Sequence, residues 1–218
     1  MNRIKIATIL NFIITIFVTI ATIFMMSGIY FMGEEYSLTE TGVGSMKFFT
    51  VQSNILMGIV AFLFVIFEIL VINGKMREIP TWGYILKHIF TVGVVLTFLT
   101  TALFLAPTAK TGYFSLFKNS NLFFHFIIPI LSMITFVVFE KTDKIKYKYV
   151  FAGVIPMLLY GIFYTINVFI HTEDGVISQK YDWYGFVAGG ISSIFIVFPI
   201  MLITTYLISF FIWKLNKK

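Results

Sequence analysis

The sequence predicts an all-α, polytopic membrane protein of six transmembrane helices. Three observations predict it. The chain is 59% hydrophobic and only 12% charged, with a mean hydropathy of +0.94, whereas a soluble domain carries roughly 25% charge. Its apolar stretches are long and continuous, as spanning helices require, rather than short and alternating like barrel strands. Its basic residues segregate to alternate connections between those stretches.

The spans are expected at about 6–32, 48–72, 84–105, 121–139, 149–171 and 184–213, in a single domain covering 1–218. The first follows a short basic start and has no charge between Ile6 and Gly33. That is too long for the apolar core of a signal peptide, and no convincing small-residue cleavage site follows. The second runs from Phe48 to Ile72, with Glu68 near its far end. A turn containing Pro80 precedes the third, and a loop with glycine, proline and lysine follows it. Pro129 interrupts the fourth. The densest charge run, 140–148, comes next. Gly153 and Pro156 are kink candidates in the fifth, and an uncharged run to Trp213 holds the sixth.

Six spans place both termini on one side. Twelve of the lysines and arginines fall on that side and four on the other (Lys47, Lys110, Lys118 and Lys180). The positive-inside rule then puts both termini in the cytoplasm. The acids Glu34, Glu35, Glu40, Glu173, Asp174 and Asp182 collect at the opposite end. A net charge of +6 thus reflects topology and does not point to a nucleic-acid partner. Cysteine is absent, which excludes disulfides, thiol nucleophiles and Cys-ligated metals. No phosphate-binding glycine loop and no metal-ligand spacing occurs, so no metal and no cofactor is expected.

The polar residues inside the spans carry the functional information, because polar groups in hydrocarbon need partners. Thr50, Gln52, Ser53 and Asn54 open the second span. Thr50 and Asn54 share a face, as do Asn121 and His125 on the fourth, so Thr50 and His125 fall at similar depth. Tyr160, Tyr164, Asn167 and His171 form one face of the fifth helix. Asp182, Trp183 and Tyr184 lead into the sixth at the same level. A polar site is therefore expected near the outer leaflet, with His125 the ionisable group inside an apolar helix. Gln52, Ser53, Ser192 and Ser193 read as glue between helices. Glu68 lies too far along its helix to join. Pairing with Lys87 or His88 is its structural reading, and a proton path is the alternative.

Thr50-x3-Asn54 on the second helix, with Asn121-x3-His125 opening the fourth, resembles the androgen-induced protein family of intramembrane threonine hydrolases. Phe49-Thr50-Val51-Gln52-Ser53-Asn54, with Asp182-Trp183-Tyr184 before the last helix, looks like a bacterial six-helix branch related to it. The chain differs from the animal members in placing Asn54 four residues after Thr50, where a polar residue one position earlier is expected. The resemblance implies Thr50 as nucleophile and His125 as base, acting on a membrane lipid such as a fatty-acid ester of a hydroxy fatty acid, or a related acyl transfer. Asn54, Asn121, Tyr164, Asn167, His171, Asp182 and Tyr184 are then candidates to line the pocket or orient the pair. The competing readings are a small-solute or proton-coupled transporter and a non-catalytic scaffold.

Overall fold

The computed structural model describes residues 3–33, 40–173, 176–178, 180–187 and 189–218; Glu34, Glu35 and Asp174 of the expected acidic end lie outside them. Among the described residues, six helices are long and apolar enough to cross a membrane: α1 (Arg3–Ser27), α2 (Phe49–Ile72), α3 (Thr81–Thr108), α4 (Ser120–Phe139), α5 (Tyr147–Ile170) and α6 (Ile191–Asn216). A two-residue hairpin, β1 (Thr172–Glu173) with β2 (Val176–Ile177), connects the last two. Arg3 and Lys218 line one cavity, so both termini lie at the same end of the bundle.

Proline and glycine explain where the helices start and change pitch. Pro80 sits in extended conformation immediately before α3, so this helix begins three residues earlier than hydropathy alone suggests. The first eight residues of α5 wind as a tighter 3-10 helix and become α-helical at Ile155, next to Pro156. The missing proline N–H removes one rung of the α ladder there. The sixth helix begins at Ile191, not 184. Gly185 and Gly190 have positive φ of 69° and 98°, a backbone geometry that suits glycine and breaks a helix. Asp182, Trp183 and Tyr184 therefore lie in a turn before α6, not on it.

α3 is the centre of the bundle. Half of its apolar window is buried, against 22% for α6. Val92, Val95 and Leu96 join a core built with α5 and α6, while Val94 joins a second core with α1, α2 and α4. Large apolar side chains such as Phe12, Ile59, Phe62, Phe195 and Ile196 cover the outside. Such a surface would aggregate in water and suits lipid. Association of spans in lipid relies on close packing rather than on a hydrophobic drive, and small residues supply it. A Cβ on Gly58 of α2 would lie 2.6 Å from Cγ1 of Val18 on α1.

That contact makes Gly58→Val an overpacking substitution. It should lower stability by about 1–3 kcal/mol, seen as earlier thermal unfolding in detergent. Unchanged unfolding would show that α1 and α2 do not touch at this point.

Candidate functional site

The end of the bundle opposite the termini gathers the residues singled out from sequence. Asn54 is fully buried, and its Nδ2 donates to two carbonyls: Thr50 one turn back at 2.8 Å and Phe124 of α4 at 3.1 Å. One amide nitrogen thus ties the backbone at Thr50 to the backbone next to His125, with the two oxygens no more than about 6 Å apart. Asn54 Oδ1 and both amide atoms of Asn121 are buried with no partner among the described residues.

His125 lies in a π-helical stretch, Phe123–Ile127, just before Pro129. Such wide turns recur at functional sites. Its Nδ1 is 2.9 Å from the Leu116 carbonyl. A carbonyl only accepts, so Nδ1 carries the hydrogen, and in the neutral ring Nε2 keeps its lone pair. Phe117 meets the ring edge-on, with centroids 6.4 Å apart.

Thr50 is in the first turn of α2 and half buried. It lines a cavity of about 40 Å³ together with Tyr184, Tyr160, Thr97, Thr100 and Thr101. That volume admits water but no acyl chain. His125 is not part of this cavity's lining. Phe49 and Tyr160 also line a second space, a groove of about 560 Å³ between α2, α3 and α5 that includes Gln52, Ser53 and Gly93. The groove is mostly apolar, and a Cβ at Gly93 would reach 3.3 Å from Ser53 Cβ.

The remaining predicted residues hold the segment before α6 against α5. The Asp182 carboxylate accepts the Tyr164 hydroxyl and the backbone N–H groups of Phe186 (2.9 Å) and Val187 (3.2 Å). Asn167 Nδ2 donates to the Tyr181 carbonyl at 2.8 Å. His171 stacks on Tyr181 at 3.7 Å, and its Nδ1 is 2.8 Å from the Asn167 carbonyl. Tyr160 donates to the Lys47 carbonyl at 2.7 Å and accepts from Trp183 Nε1 at 2.9 Å. The Tyr184 oxygen accepts the Phe49 N–H at 3.0 Å, satisfying one of the free donors at the start of α2. Burial pushes the Tyr184 phenol up, and hydrogen bonding with Tyr160, Phe49 and Thr50 offsets part of that.

Comparison with known protein families, with curated protein sequences and with solved structures gives no match.

Two features went unseen in the sequence. Thr97, Thr100 and Thr101 join Thr50 around the small cavity; their repeat along the end of α3 was the available signal. The pairing expected between Glu68 and Lys87 takes an indirect form, through Asn11, while the one with His88 is not made. Glu68 bonds Asn11 of α1 at 3.1 Å, Lys87 is ion-paired with Glu140, and His88 instead meets Ser209 of α6 at 2.8 Å. Asn11, a lone amide within the first apolar run, was the signal there. Among the described residues, no group of three His, Asp or Glu side chains could hold a metal.

Asp182 is the acceptor for three donors in the turn before α6 and is itself buried. Asp182→Ala leaves those donors unmatched and should cost about 1–3 kcal/mol, read as a lower unfolding temperature, with Asp182→Asn falling between. Wild-type stability in Asp182→Ala would mean that aromatic stacking alone holds this segment.

Proposed function

We propose that the protein is an intramembrane acyl-ester hydrolase, or a related acyl transferase, with Thr50 as nucleophile and His125 as base. The observation that supports this best is the Asn54 amide, which binds the Thr50 carbonyl and the carbonyl beside His125 at once. It holds α2 and α4 together at the level of both side chains. A threonine hydroxyl is a poor nucleophile until a base takes its proton. His125 Nε2 suits that task, because Nδ1 is fixed on Leu116. In the proposed reaction, Thr50 Oγ1 attacks the ester carbonyl and its proton passes to Nε2. Asn121 Nδ2, buried and with no partner among the described residues, is a candidate donor to the developing oxyanion. The C–O bond to the alcohol then breaks, and the alcohol leaves with the proton from His125. Water, or an acceptor alcohol in the transferase case, reverses these steps on the acyl-threonine.

The two spaces that meet at Phe49 and Tyr160 suit a lipid substrate. The groove of about 560 Å³ has the size and apolar lining for an acyl chain, and the small cavity at Thr50 has room for water. The lysine and arginine distribution supports cytoplasmic termini and a site near the outer leaflet of the cell membrane.

A fluorophosphonate probe tests the chemistry. It should label the wild type and fail to label Thr50→Ala, while His125→Ala should slow labelling by roughly 10²–10⁴-fold. Both variants should still fold. The double variant should be no worse than Thr50→Ala alone, since members of one catalytic unit are non-additive. Undiminished labelling of Thr50→Ala would refute the assignment.

Orientation has its own test, made clean by the absence of native cysteine. A cysteine introduced by Lys144→Cys should react with membrane-impermeant maleimide only after the cells are opened. Labelling of intact cells would reverse the topology.

A further inference from the structure

The densest buried charge in the bundle lies at the termini end, far from Thr50. Glu68 of α2, Lys87 of α3 and Glu140 after the last residue of α4 are 1%, 0% and 4% exposed, and Asn11 of α1 is fully buried among them. Asn11 organises the group. Its Nδ2 donates to Glu68 Oε2 at 3.1 Å and to Glu140 Oε1 at 2.6 Å, and its Oδ1 accepts from the Lys87 ammonium. Lys87 Nζ is 3.5 Å from Glu140 Oε1 and 4.8 Å from the centre of the Phe64 ring. The two carboxyl groups therefore converge on one amide nitrogen, with those oxygens less than about 6 Å apart.

Charge does not balance in this arrangement. Two carboxylates face one ammonium, and an uncompensated charge out of water is the costliest group to bury. The other Glu140 oxygen, Oε2, is buried and has no partner among the described residues. Tyr84 is half buried, and half-buried Lys141 turns its ammonium to the Lys217 carbonyl at 3.3 Å; the remaining ionisable groups stand towards water. Arg3 of α1, Tyr84 of α3, Lys141 after α4 and Lys218 at the C-terminus line a cavity of about 280 Å³ that reaches Glu68 and Glu140. Arg3 and Lys218 are exposed, so solvent screens them. Glu78 is at the surface, 3.0 Å from Lys144. His88, next to Lys87, points to Ser209, whose hydroxyl donates to the Val150 carbonyl at 2.7 Å.

We infer that Glu68 holds one exchangeable proton beside the Glu140–Lys87 ion pair, and that this proton enters from the water at the termini end through the adjoining cavity. One proton on Glu68 leaves one carboxylate for one ammonium and makes the buried group neutral. A metal cation fits the same place poorly, because the Asn11 amide hydrogens and the Lys87 ammonium already occupy one oxygen of each carboxyl group and bring a cation of their own. The site joins α1, α2, α3 and the end of α4, so loading it changes the charge at a junction of four helices. It is separate from the proposed ester chemistry and does not depend on it.

Infrared difference spectroscopy on the full-length protein in lipid bilayers tests this directly. The wild type should show the C=O stretch of a protonated carboxylic acid in apolar surroundings, equivalent to one group per chain, near neutral pH. The band should shrink as the medium is made alkaline. It should be missing near neutral pH from both Glu68→Gln and Glu140→Gln, since each leaves a single carboxylate for Lys87, and should persist in the surface control Glu78→Gln. A wild-type protein without such a band from mildly alkaline to mildly acidic pH would overturn the proposal, and that measurement requires no variant to fold. A band that survives in both glutamine variants would overturn it as well.

Discussion

The structure depends on one constraint: a polar group inside hydrocarbon must find its partner within the protein. Two buried asparagines meet it in the same way at opposite ends of the bundle. Asn54 ties α2 to α4 through two backbone carbonyls. Asn11 ties α1 to α2 and to the end of α4 through two carboxyl groups, and to α3 through Lys87. An amide suits this work because it offers two donors and an acceptor without a charge of its own. Hydrophobic contact cannot choose among neighbours when lipid is as apolar as leucine. These amides therefore help to decide which helices are adjacent and at what depth.

Close packing completes the arrangement. Gly58 lets α2 approach Val18 of α1, and Gly153 lets α5 approach Ser209 of α6, whose Oγ would lie too near any added Cβ. Local departures from α-helical pitch place polar groups. The π-helical stretch around His125 and the turn at Gly185 and Gly190 each direct polar residues where a regular helix would not. The result is a bundle with two polar ends of different chemistry: hydroxyl, imidazole and amide groups at one, carboxyl and ammonium groups at the other.

Much of this was legible in the sequence. The six spans, the common side of the termini and the shared face of Tyr160, Tyr164, Asn167 and His171 follow from hydropathy and from a period of 3.6, properties of one helix at a time. What escaped was partnership between helices. Glu140 reads as the first residue of a charged loop, yet it folds back into the bundle because Lys87 and Asn11 are there to receive it. Periodicity says which face of α2 carries Glu68 but not that α1 lies against that face. The start of α6 was misplaced because an uncharged run looks the same whether it winds as helix or turns at glycines. Around Thr50 the sequence suggests a polar site near the outer leaflet; the structure has a water-sized cavity beside a larger apolar groove.

The central claim is that Thr50 and His125 act at one place, and proximity in the native membrane tests it most directly. The chain has no cysteine, so any thiol cross-link can be assigned. Paired substitutions Thr50→Cys and His125→Cys, treated with a short bis-maleimide, should give an internal cross-link as readily as the control pair Val18→Cys and Gly58→Cys, whose positions touch. Cross-linking of the control pair alone, with Thr50→Cys and His125→Cys both labelled but never joined, would contradict the account.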